Sequence, residues 1–273
     1  AFGYMVELAS GGPHDWLVPT IMGIPPEVDA LLPYWLGAWA MQLAPGWMAP
    51  DFAARLPFGL MLVLVLVATW YGIYQLARSP GAQPVAFAFG GEAQPADYAR
   101  AMADGGLLGL IGCLGLAQLS HETTPALAQL CFTALTFYGL SALSGSLLLP
   151  LAAIGAGLTG LTLSGAPAVA VLFGLGGAIF GALERNETGS AHGGQLWRIA
   201  GPLAAAAAAA ALASSLDLWQ WRIAPPGTSW REWRSLGRLF LWFTWPLWPL
   251  VLWTLWRWRH QLRDLPRNRH LAW

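Results

Sequence analysis

PFGLMLVLVLVATWYGIYQLA, residues 57–77, runs for 21 residues without a single Asp, Glu, Lys or Arg. A helix rises 1.5 Å per residue, so about 20 apolar residues match the hydrocarbon thickness of a bilayer, and the stretch predicts a membrane span. Arg55 and Arg78 flank it. The whole chain agrees with that reading. Of its 273 residues 56% are hydrophobic and only 10% charged, with a mean hydropathy of +0.50, whereas about a quarter of the residues of an ordinary soluble domain are charged. The sequence therefore predicts an all-α polytopic membrane protein.

Downstream, a polar connection over 79–104 leads to apolar runs near 105–119 and 126–145, separated by Ser120-His-Glu-Thr-Thr-Pro125, whose proline suits the first position of a helix. Residues 147–183 carry no formal charge over 37 positions, too many for one crossing, and Ser164-Gly-Ala-Pro167 offers a break between spans near 147–163 and 166–183. The span near 199–215 holds eight consecutive alanines, Ala204–Ala211, which favour close helix approach. The last span, near 236–256, contains Pro246 and Pro249 and should be kinked. The expected organisation is thus a surface segment over 1–56, about seven transmembrane helices within 57–256, and a basic segment over 257–273 that holds five of the fourteen arginines.

Upstream of the first span the chain is broken by Pro and Gly. Its short amphipathic pieces, FGYMVELA and YWLGAWAMQLA, predict helices lying on the membrane surface, with Trp16, Trp35, Trp39 and Trp47 at headgroup level. Arginine counting orients the chain. With residues 1–55 outside, nine arginines face the cytoplasm and five do not, in the sense of the positive-inside rule. The opening segment, SHETTP and the Trp/Arg-rich segment 216–235 then converge on one exterior face.

Several functions find no support. A net charge of zero gives no reason to invoke nucleic acid. All fourteen basic residues are Arg, a composition bias rather than a binding signature. Cys113 and Cys131 sit apart in apolar runs as buried inert thiols, with no disulfide or metal framework. Walker A, GxGxxG, HExxH and GxSxG patterns are absent. The Asn186-Glu-Thr sequon falls on the cytoplasmic side and carries no meaning there. With Ala1 at the start, no visible signal peptide, and an apolar run beginning at His270-Leu-Ala-Trp273, the sequence reads as a fragment lacking both flanks.

The candidate chemistry lies on the exterior face. Glu27 and Asp29, in a Pro-rich loop, are placed to act as general base or to hold a divalent cation beside an anionic headgroup; a solvated loop is the plain alternative. His121 and Glu122 stand at the mouth of a span, where ionisable groups suggest function, while capping of the next helix explains the segment equally well. Asp15 is read as a helix N-cap or a ligand-binding carboxylate. Arg55 either pairs with Asp51 one turn earlier or holds a phosphate. Arg222, Arg231, Arg234 and Arg238, interleaved with Trp219, Trp221, Trp230 and Trp233, either grip a lipid phosphate or anchor the chain in the interface.

The blocks Tyr4–Ala9, His14-Asp-Trp-Leu-Val-Pro19, Gly23-Ile-Pro25, Tyr34-Trp-Leu36 and Phe52-Ala-Ala-Arg-Leu-Pro57 follow in an order and spacing that resemble the first extracytoplasmic loop of the GT-C glycosyltransferases, in particular bacterial members similar to protein O-mannosyltransferase and the lipid A aminoarabinose transferase. SHETTP-ALAQLCFTALTFYGL resembles the opening of that family's fourth membrane helix. The resemblance covers about a third of the chain closely. It implies a GT-C-like fold in the bacterial inner membrane, with a periplasmic face that binds a polyprenyl-phosphate sugar and activates an acceptor with acidic residues. Glu27, Asp29, His121 and Glu122 would then be catalytic, and Asp15, Tyr34, Arg55, Arg222, Arg231 and Arg234 would bind substrate. It also implies a first membrane helix and an acidic pair upstream of Ala1. Where these relatives often carry Glu-Lys followed by Pro-Pro, this chain has Val28-Asp-Ala-Leu31, without the cation expected to meet the donor phosphate. A non-catalytic relative serving as a membrane subunit or scaffold, in contact with lipids and partner subunits, is the alternative.

Overall fold

The computed structural model describes residues 1–12, 15–84, 93–188, 192–219 and 229–259, with side chains described except at 184–188 and 192–195. Among these residues the regular structure is helical, apart from one isolated bridge between Ile21 and Ile24. Eleven α-helices follow in order: α1 Phe2–Ser10, α2 Leu32–Leu43, α3 Pro50–Ala77, α4 Pro95–Ile111, α5 Leu114–Leu119, α6 Pro125–Ala142, α7 Leu148–Leu163, α8 Pro167–Thr188, α9 His192–Ser215, α10 Trp230–Phe243 and α11 Leu247–Arg257. Four of them, α3, α4, α6 and α8, open on a proline, where the missing N–H would be unpaired in any residue and the fixed φ already suits a helix.

Two described helices, Pro50–Ala77 and Leu196–Ser215, are long and apolar enough to cross a membrane, and α10 with α11 would add a third if the pair is one span. The apolar helices Leu148–Leu163 and Pro167–Leu183 are shorter; at 1.5 Å per residue they reach about 25 Å, against about 30 Å of hydrocarbon.

Helices occupy the predicted segments with altered limits, two or three of them with the length and apolarity of a span. Both surface pieces are helices, but α1 and α2 turn their apolar sides into the protein: Met5, Leu8, Tyr34 and Ala38 are buried against Ala54, Phe58, Leu127 and Ala128. The first span does not start at Pro57. It starts at Pro50, so Phe52-Ala-Ala-Arg-Leu lies inside α3 with Pro57, and the expected boundary at 56 falls within a helix. The run expected over 105–119 is two helices, broken at Gly112–Cys113, and the first begins ten residues earlier, where Pro95 and Asp97 suit a helix N-terminus. The expected kink at Pro246 is a 91° bend between α10 and α11, following a cis Trp245–Pro246 peptide. α6, α7, α8 and α9 lie close to their predicted positions, and Cys113 and Cys131 are buried free thiols.

In the bundle α3 packs on α4 and α6, α6 on α7, and α7, α8 and α9 on one another. Small residues set the closest approach. A Cβ on Gly174 of α8 would stand 2.5 Å from Ala206 Cβ and 2.9 Å from the Pro202 carbonyl oxygen, and Ala206, Ala209 and Ala213 are buried on the facing side of α9. The polyalanine run is thus an interface with α8, in keeping with small residues admitting close backbones. On the other side of the bundle, Trp70 Nε1 of α3 donates to Asp104 Oδ1 of α4 at 2.7 Å. Asp104→Ala removes that charge-assisted bond, and thermal unfolding in detergent is expected to show a loss of about 1–2 kcal/mol.

Candidate functional site

Two segments far apart in sequence, each set by a tight turn, build one wall of a cleft. At the first, Ile21 and Ile24 exchange both backbone hydrogen bonds, at 3.0 and 2.9 Å, across Met22 and Gly23, whose φ values of 51° and 80° are those of a type I′ turn. That reversal sends Pro25–Asp29 back toward α2. The second turn ends α7. Gly165, with φ 84°, donates to the Thr162 carbonyl at 3.1 Å, and Ala166 donates to that of Leu161 at 3.0 Å. This is a Schellman termination, with glycine at the left-handed position and proline shortly after it.

The segment after the first turn is fastened to the end of α7, and so is α6. The Leu31 N–H donates to the Leu163 carbonyl at 2.7 Å, and Gln129 Nε2 of α6 donates to the Ser164 carbonyl at 2.8 Å. A Cβ on Gly165 would stand 2.7 Å from Val28 Cγ1 and 2.9 Å from the Asp29 carbonyl oxygen. Position 165 is therefore held to glycine by its φ and by the loop packed against it.

Between the Pro26–Asp29 loop, the turn after α7 and the N-terminus of α6 lies a cleft of about 810 Å³. Its polar lining includes Glu27, Asp29, Glu122, Tyr4, Tyr34 and Gln129; Pro125–Ala126, Gly165–Val169, Leu218 and Trp219 supply apolar and backbone surface. Thr124 also lines it, and its Oγ1 is buried with no partner, although the residue is the N-cap of α6. Among the described residues no Arg, Lys or His lines the cleft. Partial positive charge comes instead from the N-termini of α6 and α8, both at its surface, where aligned peptide dipoles and unpaired N–H groups favour anions.

Tyr34 is nearly fully buried on α2, with its ring 5.5 Å from that of Tyr4. Burial, and then the neighbouring Tyr4, Asp29 and Glu27, push its hydroxyl up to about 12 from an ordinary value of 10.0. It is a neutral donor throughout the physiological range. Because the folded state holds this proton more tightly than the unfolded chain, the contribution to stability is complete below pH 10 and is lost as pH rises toward 12. An absorbance titration of tyrosinate, compared with Tyr34→Phe, should show one tyrosine missing from the transition near pH 10.

Four of the predicted site residues come together here: Glu27, Asp29, Tyr34 and Glu122. Asp29 also lines a smaller pocket of about 170 Å³ with Leu17, Val18, Pro19 and Asp217. The others are elsewhere. His121 is exposed and outside the lining, although it adjoins Glu122. Asp15 does not cap a following helix; its carboxylate accepts from the Gly12 N–H at 2.7 Å and closes the turn after α1. Arg55 is exposed on α3 and forms no ion pair with Asp51; the ion pair among the described residues is Arg100–Asp97 at 2.9 Å. Arg231 and Arg234 lie on α10, away from the cleft. Arg222, His14 and residues 260–273 lie outside the described residues. No group of three or more His, Cys, Asp and Glu among the described residues is arranged to hold a metal ion.

Tyr4, Thr124, Gln129 and Gly165 were not singled out from the sequence. Gly165 had a signal, a glycine followed two residues later by proline between apolar runs, but it was read only as a break. Comparison with protein-family models, with curated proteins and with solved structures gives no match.

Proposed function

We propose that the chain is a GT-C-like glycosyltransferase of a bacterial inner membrane that moves a sugar from a polyprenyl-phosphate donor to a periplasmic acceptor in the cleft. The observation that carries the proposal is the gathering of Glu27, Asp29, Tyr34 and Glu122 around one cleft of about 810 Å³, from segments up to 95 residues apart (122 − 27). In this reading α6, α7 and α8 cross the membrane beside α3 and α9, and the cleft opens on the periplasmic side.

The chemistry suits the lining. A carboxylate of Glu27, Asp29 or Glu122 takes the proton from an acceptor hydroxyl as its oxygen bonds to the anomeric carbon. The bond from that carbon to the phosphate oxygen breaks, and the polyprenyl phosphate leaves as the anion. Its charge falls to the N-termini of α6 and α8, which replace the missing lysine. Neutral Tyr34 donates to a sugar or phosphate oxygen.

The absence of any Arg, Lys or His from the described lining favours a second reading, a non-catalytic membrane subunit or scaffold. A transfer assay in proteoliposomes with polyprenyl-phosphate sugars separates the two. Sugar transfer that depends on Glu27, Asp29 or Glu122 supports the enzyme; a chain that purifies with a stoichiometric partner, holds no sugar lipid and transfers nothing supports the scaffold.

A further inference from the structure

Among the described residues α10 is one of the least partnered elements. None of its residues is buried, and its contacts with the rest of the protein concentrate at its C-terminal end, where Phe243 sits on Gly115 of α5. It is not the first half of a straight span, since α11 leaves it at 91°.

The sequence of this helix is WREWRSLGRLFLWF, and over Arg231–Phe240 it divides by face, while Leu241 and Trp242 at its end return to the arginine side. Arg231, Arg234 and Arg238 recur at three- and four-residue intervals and fall within an arc of about 60° at 100° per residue. Trp233, Leu236, Phe240 and Phe243 recur in the same way on an arc centred about 180° away. Trp233, Leu236 and Phe240 are 52%, 46% and 65% exposed. None of the three arginines has an ion-pair partner among the described residues. The only acidic residue of the helix, Glu232, is in the first turn, where its N–H donates to the Ser229 N-cap hydroxyl at 3.4 Å.

Such a helix is too charged to be buried in hydrocarbon and too apolar on one side to be left in water. A membrane surface satisfies both faces at once, with the apolar stripe at the acyl boundary and the arginines at the phosphates. The candidate spans of the same chain bring such a surface within reach. We propose that α10 lies in the plane of the membrane and that Arg231, Arg234 and Arg238 bind the phosphates of anionic lipids. The inference is independent of catalysis in the cleft, and it assigns these arginines to the bulk lipid surface rather than to the sugar donor.

Spin labels at single cysteines test it in the full chain, reconstituted into phosphatidylcholine vesicles with and without 30% phosphatidylglycerol, after Cys113 and Cys131 are replaced by alanine. Labels at 236 and 240 should be reached by oxygen and not by a water-soluble nickel chelate, labels at 231 and 234 by the chelate, and the contrast should sharpen with phosphatidylglycerol. Four labels all immersed in lipid would make α10 part of a span. Labels at 236 and 240 shielded from both reagents would mean a docked protein, and four labels all reached by the chelate would mean a helix in water; each of the three overturns the proposal. A second measurement needs no cysteines. An arginine near an anionic surface is worth about fivefold in lipid affinity, so Arg231→Gln/Arg234→Gln/Arg238→Gln should retain at least about fivefold less phosphatidylglycerol relative to phosphatidylcholine after purification. Equal retention by the wild-type chain and the triple variant would contradict the proposal.

Discussion

Gly165→Val is expected to cost the protein about 2–6 kcal/mol and to distort the cleft. Two independent penalties meet at this position. The backbone has φ 84°, a region that costs a residue with a Cβ about 1–3 kcal/mol, and a β-branched one most. A Cβ there would also stand 2.7 Å from Val28 Cγ1 and 2.9 Å from the Asp29 carbonyl oxygen, and overpacking of this kind costs about 1–3 kcal/mol more. The neighbours cannot give way without losing the Leu31–Leu163 and Gln129–Ser164 hydrogen bonds, at 2.7 and 2.8 Å. Thermal unfolding in detergent measures the loss. Gly165→Ala keeps the strain but has the smaller side chain, and should fall between wild type and valine. A Gly165→Val protein as stable as wild type would show that the turn and the Val28–Asp29 loop are not packed as described.

The second large effect is on activity. Glu27→Gln, Asp29→Asn and Glu122→Gln each preserve size and remove a base. The residue that takes the acceptor's proton should lose about 10²–10⁴-fold in turnover when replaced, the usual contribution of a positioned acid or base. Variants of the other two carboxylates should act mainly on substrate affinity. All three should fold, because each residue faces a cleft rather than the core. In contrast, His121→Gln should leave turnover close to wild type, since His121 is exposed and outside the lining. Loss with His121→Gln but with none of the three carboxylate variants would move the chemistry away from the cleft.

The course of the chain was easier to read than the cleft. Apolar length located α3, α7, α8 and α9, and the Pro/Gly breaks located the turns between them, because those signals are local. Helix limits were harder wherever a polar stretch remains helical. Residues 95–104 contain Asp97, Arg100 and Asp104, and α4 nevertheless begins at Pro95, since a helix can keep charges on its exposed face. Phe52-Ala-Ala-Arg-Leu reads as a separate motif in the sequence and lies within the first two turns of α3.

At the site, Glu27, Asp29 and Glu122 line one cleft, in keeping with the expected convergence of the opening segment and SHETTP on one face. The roles assigned to arginines did not survive in the same way. Composition predicts an exterior side for Arg55, Arg231 and Arg234 but cannot say whether they face a cleft 810 Å³ in volume or open surface. Gly165, Gln129 and Thr124 escaped notice because their parts depend on contacts between segments more than 90 residues apart in places, as with Val28 and Gly165.

The central claim is that the cleft receives a polyprenyl-phosphate sugar. Photocrosslinking measures this most directly: the chain in proteoliposomes is irradiated with a polyprenyl-phosphate sugar bearing a diazirine on its first isoprene unit, and the labelled residues are mapped by mass spectrometry. The account predicts labels within 122–129 and 165–169, competed away by unlabelled donor and reduced in Gly165→Val. Labels confined to α10 and α11, or labelling that excess donor does not displace, would contradict it.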